Sequence, residues 1–300
     1  MERIAKLATN FTNSDESPVI DSAITKEIDR MIVQGKKIQS FEDQKRVFLE
    51  YRNQADINPE ELCKHVFGEF YHSRREIDDY ISKDLDFSEF KEYTCSREEA
   101  RLKVNRLLIK ISQKFPMDYE SFRDDYWKSF STFLHLSVYN GGLATKFSVH
   151  YFLYVRTILI LGTEKHKHWI ERGLKLQDFG CFALTEMAHG SNVQGCLTKA
   201  TYDMEYDEFI INTPIERGMK FWIGNAAHTA NMCVVFANMI IHGKDYGIHI
   251  FLCPIRDSNT NCTLPGVVIG DCGDKLGHKG IDNGHIMFRN VRVPRDNLLD

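Results

Sequence analysis

The feature that most constrains this chain is a change of period. Up to about residue 173 apolar residues recur at the three- and four-residue spacing of helices, and after Gly180 they alternate as in strands. Residues 173–180 are the connection. Helices followed by a run of strands make an α+β arrangement with segregated domains, whereas a parallel α/β sheet needs the two to alternate. The expected organisation is a helical domain over residues 1–178, opening with an irregular arm over 1–18, and a β domain over 179–300.

In the helical part, Ala23, Ile24, Ile28, Met31 and Ile32 share a face and Gly35 ends that helix. Asn58 followed by Pro59 marks another start, with asparagine as cap and proline in the first turn. Ser96 and Glu99 fit a capping box, after which Ala100, Val104, Leu107, Leu108 and Ile111 align until Pro116. One helix is then expected from Asp118, aligning Phe122, Tyr126, Phe130, Phe133, Leu134 and Ser137, and broken by Asn140-Gly141-Gly142. An apolar helix over 144–161 follows, and Gly162-Thr163 caps a short one to about Gly173.

In the β part, 198–202 and 208–212 read as a hairpin, 231–241 and 246–254 as a second pair, and 267–269 and 285–288 as further strands. The stretch 181–184 reads as a buried strand running into Thr185-Glu186 and the small-residue turn His189-Gly190-Ser191-Asn192. A strand that stops at a polar dipeptide places hydrogen-bonding groups at a sheet edge. Residues 218–226, Gly-Met-Lys-Phe-Trp-Ile-Gly-Asn-Ala, form a strand ending in a large aromatic and then a small residue. Together they suggest a flat ligand held between backbone amides and an indole.

Composition narrows the classes of partner. The 38 basic and 42 acidic residues give a net charge of −4, which makes no electrostatic case for nucleic acid or a membrane surface. Eight cysteines without a C-x-x-C pair read as free thiols in a reducing compartment. The longest apolar run, near 149–161, carries His150 and Arg156 and is too short to span a bilayer. His166 and His168 diverge on a helix, and His242, His249 and Cys253 lack metal-site spacing, so no metal is expected. The G-x-S-x-G and G-x-G-x-x-G frames are absent.

Four blocks in order carry a family likeness: Thr185-Glu186 with Gly190-Ser191, then Gly218 to Ala226, then Lys275-Leu276-Gly277, then Val293-Pro294-Arg295-Asp296-Asn297-Leu298-Leu299. The chain resembles the acyl-CoA dehydrogenase and acyl-CoA oxidase superfamily over about residues 130–300. The resemblance implies the acyl-CoA dehydrogenase type of fold, a helical domain followed by a barrel-like β-sheet domain. It also implies bound FAD, and oxidation of a fatty acyl-CoA to the trans-2-enoyl-CoA. In that family a carboxylate removes the α-proton while the β-hydrogen leaves as hydride to the flavin.

The resemblance places Thr185, Trp222 and Gly224 at the flavin and Ser191 near the acyl-CoA. The bland alternatives are a β-favouring threonine, a core indole and a turn hydroxyl. Dehydrogenases of the family usually carry Thr where this chain has Gly224. A bare Gly224 removes one hydrogen bond and is expected to open space near the flavin, so that O2 meets it more easily. The sequence Ile281-Asp282-Asn283-Gly284 is also oxidase-like.

The implied enzyme passes electrons to O2, gives hydrogen peroxide, and is expected in the peroxisome as a homodimer, with no nucleic-acid or membrane partner. Arg3-Ile4 with Asn10-Phe11 is a near miss for a peroxisomal N-terminal signal. The family's catalytic Glu lies in a further helical domain, expected beyond Asp300, and none of Glu186, Glu205, Glu208 or Glu216 stands at its place. The alternatives are a dehydrogenase serving an electron-transfer flavoprotein and a non-catalytic relative acting as a binding or scaffold module.

Overall fold

The computed structural model describes residues 49, 51–92 and 95–299, and the chain divides into two compact units, Met1–Val66 and Phe67–Asp300. The expected arm over 1–18 and the helix bearing Ala23 and Ile28 lie outside the described residues. Helix α1 (Pro59–Phe67) starts as its sequence requires: Asn58 Oδ1 accepts from the amides of Glu60 at 3.0 Å and Glu61 at 3.3 Å. Among the described residues no helix is long and apolar enough to cross a membrane.

In the second unit, α2 (Tyr71–Asp84) buries Tyr71, Ile77 and Ile81. Helix α3 (Arg97–Lys114) begins where Ser96 Oγ accepts from the Glu99 amide at 3.2 Å, and it buries all five residues of the expected face. Glu99 does not close the capping box, because its carboxylate turns to Lys103 Nζ, 3.1 Å away and one turn on.

The single helix expected from Asp118 is two, α4 (Tyr119–Asp124) and α5 (Tyr126–Tyr139). Asp125 leaves helical geometry and caps the second one, its carboxylate accepting from the Lys128 amide at 3.0 Å. The break resets the phase. Leu134 is 39% exposed and Ser137 is exposed, while Ser129, Ser131, His135 and Leu136 turn inward. Tyr126, Phe130 and Phe133 gather around Phe152 with ring centroids 5.7–6.1 Å apart.

Asn140 both ends α5 and starts the apolar helix, Oδ1 accepting from Leu143 N at 2.7 Å and Nδ2 donating to Phe90 O at 2.8 Å. That helix starts at Gly141 and is not uniform: α6 (Gly141–Ser148) runs into a π-helical segment, Val149–Val155, and then α7 (Arg156–Leu161). The fully buried His150 stacks on Phe179 with centroids 4.6 Å apart and lies 2.9 Å from Gly173 O. Its Nδ1 accepts from Gly180 N at 3.1 Å, so Nε2 carries the proton and donates to Gly173 O. Burial depresses this imidazole to about 4, so it is neutral at physiological pH. It clasps both ends of the connection after α8 (Lys167–Leu174).

The strands form a mixed seven-stranded sheet and a three-stranded one. In the first, β1 (Gly180–Ala183) and β2 (Lys199–Asp203) both pair parallel with β5 (Met232–Ile241), whose other edge takes β6 (Lys244–Pro254) antiparallel. The expected hairpin is β2 with β3 (Glu208–Asn212), Ala200 opposite Ile211. The second sheet orders β4 (Lys220–Gly224), β8 (Asn283–Phe288) and β7 (Val267–Asp271). The 293–299 motif supplies two strands the periodicity does not announce, β9 (Val291–Pro294) on β3 and β10 (Leu298–Leu299) on β6.

Strand β5 is the hinge of the packing. Met232 and Val234, with Phe236, face the helices, while Cys233, Val235, Ala237 and Met239 join a second core closed by the three-stranded sheet. All eight cysteines are free. Cys181, Cys233 and Cys253 lie side by side across β1, β5 and β6 in this core, where burial pushes the thiols of Cys233 and Cys253 far up.

A fully buried charged group joins the helices to the sheets. Lys146 of α6 has no exposed surface, and its Nζ donates to Asp282 Oδ1 at 2.6 Å, Thr229 Oγ1 at 3.0 Å and Asn225 Oδ1 at 3.3 Å. Asp282 also accepts from the amides of His228 at 2.7 Å and Thr229 at 3.0 Å. Lys146→Met should therefore cost about 3–5 kcal/mol in urea denaturation, because it strands the Asp282 charge. The double variant Lys146→Met/Asp282→Leu should recover much of that loss, and a double variant no more stable than the single one would refute the account.

Candidate functional site

The two singled-out stretches meet as neighbouring extended segments. Beyond β1, Thr185 and Phe221 are joined twice: Phe221 N donates to Thr185 O at 3.0 Å, and Thr185 Oγ1 donates to Phe221 O at 2.7 Å. The hydroxyl proton is thus used, and its lone pairs remain to accept. Glu186 and His189 exchange amide–carbonyl bonds at 3.1 Å, making the tight turn that carries Gly190 and the exposed Ser191.

Glu186 is the residue whose role the sequence hides. Its carboxylate is buried under β4 and β2, Oε1 accepting from Lys220 Nζ at 3.0 Å, Thr198 N at 3.0 Å and Thr198 Oγ1 at 2.8 Å, and Oε2 from Leu197 N at 2.7 Å. Burial would raise its pKa, but the Lys220 charge and these hydrogen bonds overcome burial and hold it at about 2. A carboxylate so fully engaged has no capacity to take a substrate proton. Lys220, also without exposed surface, donates in addition to Leu184 O at 3.2 Å. The pair fixes the Thr185 edge against β4.

Trp222 is not a core indole. It is 53% exposed, and its φ of +65° is a region that a bulky residue rarely adopts, at a cost of about 1–3 kcal/mol. The β4–β8 register shifts between Lys220 and Ile223, and Asn283 Nδ2 donates to Trp222 O at 3.2 Å. Asn225, at φ +68°, completes the turn and is buried, its Oδ1 accepting from Lys146.

Beside the indole lies an open cavity of about 500 Å³, lined by Thr145, Trp222, Lys275, Leu276, Gly277, His278, Ile281 and Asn283. Lys275 Nζ is tied to Ile281 O at 2.6 Å and Asn283 Oδ1 at 2.5 Å, which folds the Lys275-Leu276-Gly277 loop over the rim. Thr185, Gly224 and Ser191 are not among the lining residues. Thr185 adjoins through Phe221, and Ser191 stands apart on its turn. The space expected at a bare Gly224 is filled, since a Cβ there would lie 3.0 Å from Val149 Cγ2 and 3.1 Å from Ile281 Cδ1. A separate cavity of about 270 Å³, floored by Ile77 and Phe122, carries none of these residues.

The helices before the connection and the strands after it match two family descriptions, Acyl-coenzyme A oxidase N-terminal over residues 58–177 and Acyl-CoA dehydrogenase, middle domain over residues 181–291. The chain belongs to the acyl-CoA oxidase family. It is 41% identical over 222 residues to acyl-coenzyme A oxidase 1 of Yarrowia lipolytica, covering 73% of this chain and 31% of that protein. With the peroxisomal acyl-coenzyme A oxidase 2 of Arabidopsis thaliana it shares 39% over 253 residues, 82% of this chain and 36% of the relative. The chain therefore spans about a third of the length of the curated relatives it matches.

Solved structures agree. Acyl-CoA oxidase 1 of Y. lipolytica superposes with a TM-score of 0.75 at 35% identity, over 84% of this chain and 37% of that one. Acyl-CoA oxidase-2 of Caenorhabditis elegans, solved with FAD, ascaroside-CoA and ATP, gives 0.74 at 33%, over 84% and 38%. Within this oxidase fold, sequence reading missed Glu186, Lys220, Asn225 and Asp282. A Lys inside an apolar strand, alternating with Phe and Ile, is the signal that could have found the first pair.

Glu186 and Asp282 are each held at about 2, below the ordinary carboxylate value near 4. For Asp282, too, burial pushes upward and is overcome by Lys146 and the hydrogen bonds around it. A folded-state value below the unfolded one means stability fully present above about pH 5 and lost as pH falls from about 4 towards 2. The urea midpoint should fall across that window, and Glu186→Gln should flatten the fall. A Glu186→Gln profile parallel to the parent's from pH 5 to 2 would remove Glu186 from the explanation.

Proposed function

We propose that this chain supplies the flavin- and acyl-CoA-facing part of an oxidase that converts fatty acyl-CoA to trans-2-enoyl-CoA and passes the electrons to O2 as hydrogen peroxide. The observation that carries the reading is Trp222, an indole held out at φ +65° beside a cavity built from the family's own motif. A flat ring system with polar edges suits an exposed indole beside a cavity that also carries Thr145, Lys275 and Asn283. Bound FAD would supply the acceptor for the β-hydrogen.

The chain's own residues bind and orient. Trp222 forms one wall, and Thr185 offers hydroxyl lone pairs to a ring N–H at the β1 edge. Gly224 gives the turn its close approach, and Ser191 faces the acyl-CoA side. Apolar, buried Ile281 excludes water on its side of the cavity, which strengthens hydrogen bonds made to a developing enolate. Among the carboxylates weighed, Glu186 is consumed by Lys220, Glu208 pairs with Arg292 at 3.1 Å, and Glu205 and Glu216 are exposed. We assign the base to sequence outside residues 1–300.

In this reading residues 1–178 and 179–300 are the helical and β domains of the enzyme. It works as a homodimer in the peroxisome, the compartment named for several relatives.

Titration of the protein with FAD should produce a bound-flavin absorption band and quench the fluorescence of Trp222, one of three tryptophans. Trp222→Ala should weaken FAD binding by about tenfold or more. Absence of any FAD binding by the parent protein would sink the proposal, and peroxide release on addition of fatty acyl-CoA to the full-length protein completes the test.

A further inference from the structure

Position 224 is glycine for a steric reason. Its φ lies outside the left-handed region, so the backbone does not demand glycine. Its neighbours do. A Cβ there would stand 3.0 and 3.5 Å from the two γ-carbons of Val149 and 3.1 Å from Ile281 Cδ1, inside or at the edge of ordinary carbon contact at about 3.5–4.0 Å.

Both neighbours are buried, and both are fixed from close by. Val149 follows Lys146 by three residues along the helix, and Ile281 immediately precedes Asp282, so the 2.6 Å Lys146–Asp282 contact draws the two side chains together over Gly224. Val149 opens the π-helical segment, and Ile281 also lines the cavity beside Trp222. A Cβ at 224 therefore requires these neighbours to give way by a few tenths of an ångström, against the one buried ion pair that anchors both.

We propose that Val149, with Ile281, packs so closely on position 224 that the volume at 149 sets how readily a side chain larger than glycine is accepted there. Alanine at 149 removes both γ-carbons, the nearer of which is the closest obstacle to a Cβ at 224. Residues 149 and 224 thus trade volume across the boundary between helix and sheet. The consequence for flavin rests on the function proposed above, whereas the steric coupling stands without it.

A double-mutant cycle on the full-length protein tests this. Thermal midpoints are measured without added flavin for the parent, Gly224→Thr, Val149→Ala and the pair, followed by FAD affinity for each. Gly224→Thr should lower the midpoint by overpacking, and Val149→Ala by leaving a cavity. The double variant should lie well above the sum of the two drops, and it should bind FAD more tightly than Gly224→Thr by about tenfold. Two drops that simply add would overturn the proposal. Should Gly224→Thr fail to fold, Gly224→Ala brings the single Cβ and carries the same expectation. A parent protein that takes up no FAD defeats the functional reading, while the midpoints still decide the coupling.

Discussion

A lysine with no exposed surface sets where the helices meet the sheets. An unpaired ammonium in such a place loses its proton or leaves the interior. Lys146 keeps its charge because Asp282 stands 2.6 Å away, Thr229 and Asn225 take its other protons, and Phe179 lies with its ring centre 5.6 Å from the ammonium. Burial draws Lys146 below its ordinary value, and Asp282 opposes that. The net energy of such a pair is small, since desolvation consumes most of the attraction, but its geometry is demanding. It admits one placement of α6 against the 225–229 turn and the 281–283 strand entry.

That placement supports the strained turn. Trp222 and Asn225 both have positive φ, three positions apart on either side of Ile223 and Gly224. Asparagine tolerates this region, whereas tryptophan does so only when its surroundings leave no alternative. Here Ile223 is buried on one side, Asn283 holds the Trp222 carbonyl, and Asn225 is gripped by Lys146 while its Nδ2 reaches Gly180 O at 3.4 Å. Turning the indole outward is the result. The Glu186–Lys220 pair, which ties the segment after β1 to the start of β4, does the same service for the Thr185 edge, so two buried ion pairs flank the exposed aromatic.

The order of helices and strands was legible because burial imposes period on sequence, and the change at 173–180 was therefore visible. Phase was less so. Asp125 and Lys128 make a cap that a surface helix could equally carry as solvated charge, and only tertiary contact shows that the chain restarts there. Parallel pairing of β1 and β2 with β5 depends on a long crossover, which leaves no local mark. Motif residues were the hardest to divide. Asn225 belongs to the same block as Trp222 and Gly224, yet its side chain faces the Lys146–Asp282 pair inside the protein. The spelling of a motif cannot by itself separate a residue that meets a ligand from one that holds its neighbour in place.

The tripeptide Ile281-Asp282-Asn283 shows how consecutive residues of one block divide their work. Ile281 fills the volume over Gly224, Asp282 neutralises Lys146, and Asn283 holds the carbonyl of Trp222 while accepting from Lys275. Three consecutive side chains thus act on three different parts of one wall: its packing, its attachment to the helices and its backbone conformation. A change at any one of them alters the position of the other two, because all three follow from the same few backbone dihedrals entering β8. Glycine at 224 and the 281–283 side chains are therefore parts of one packing arrangement.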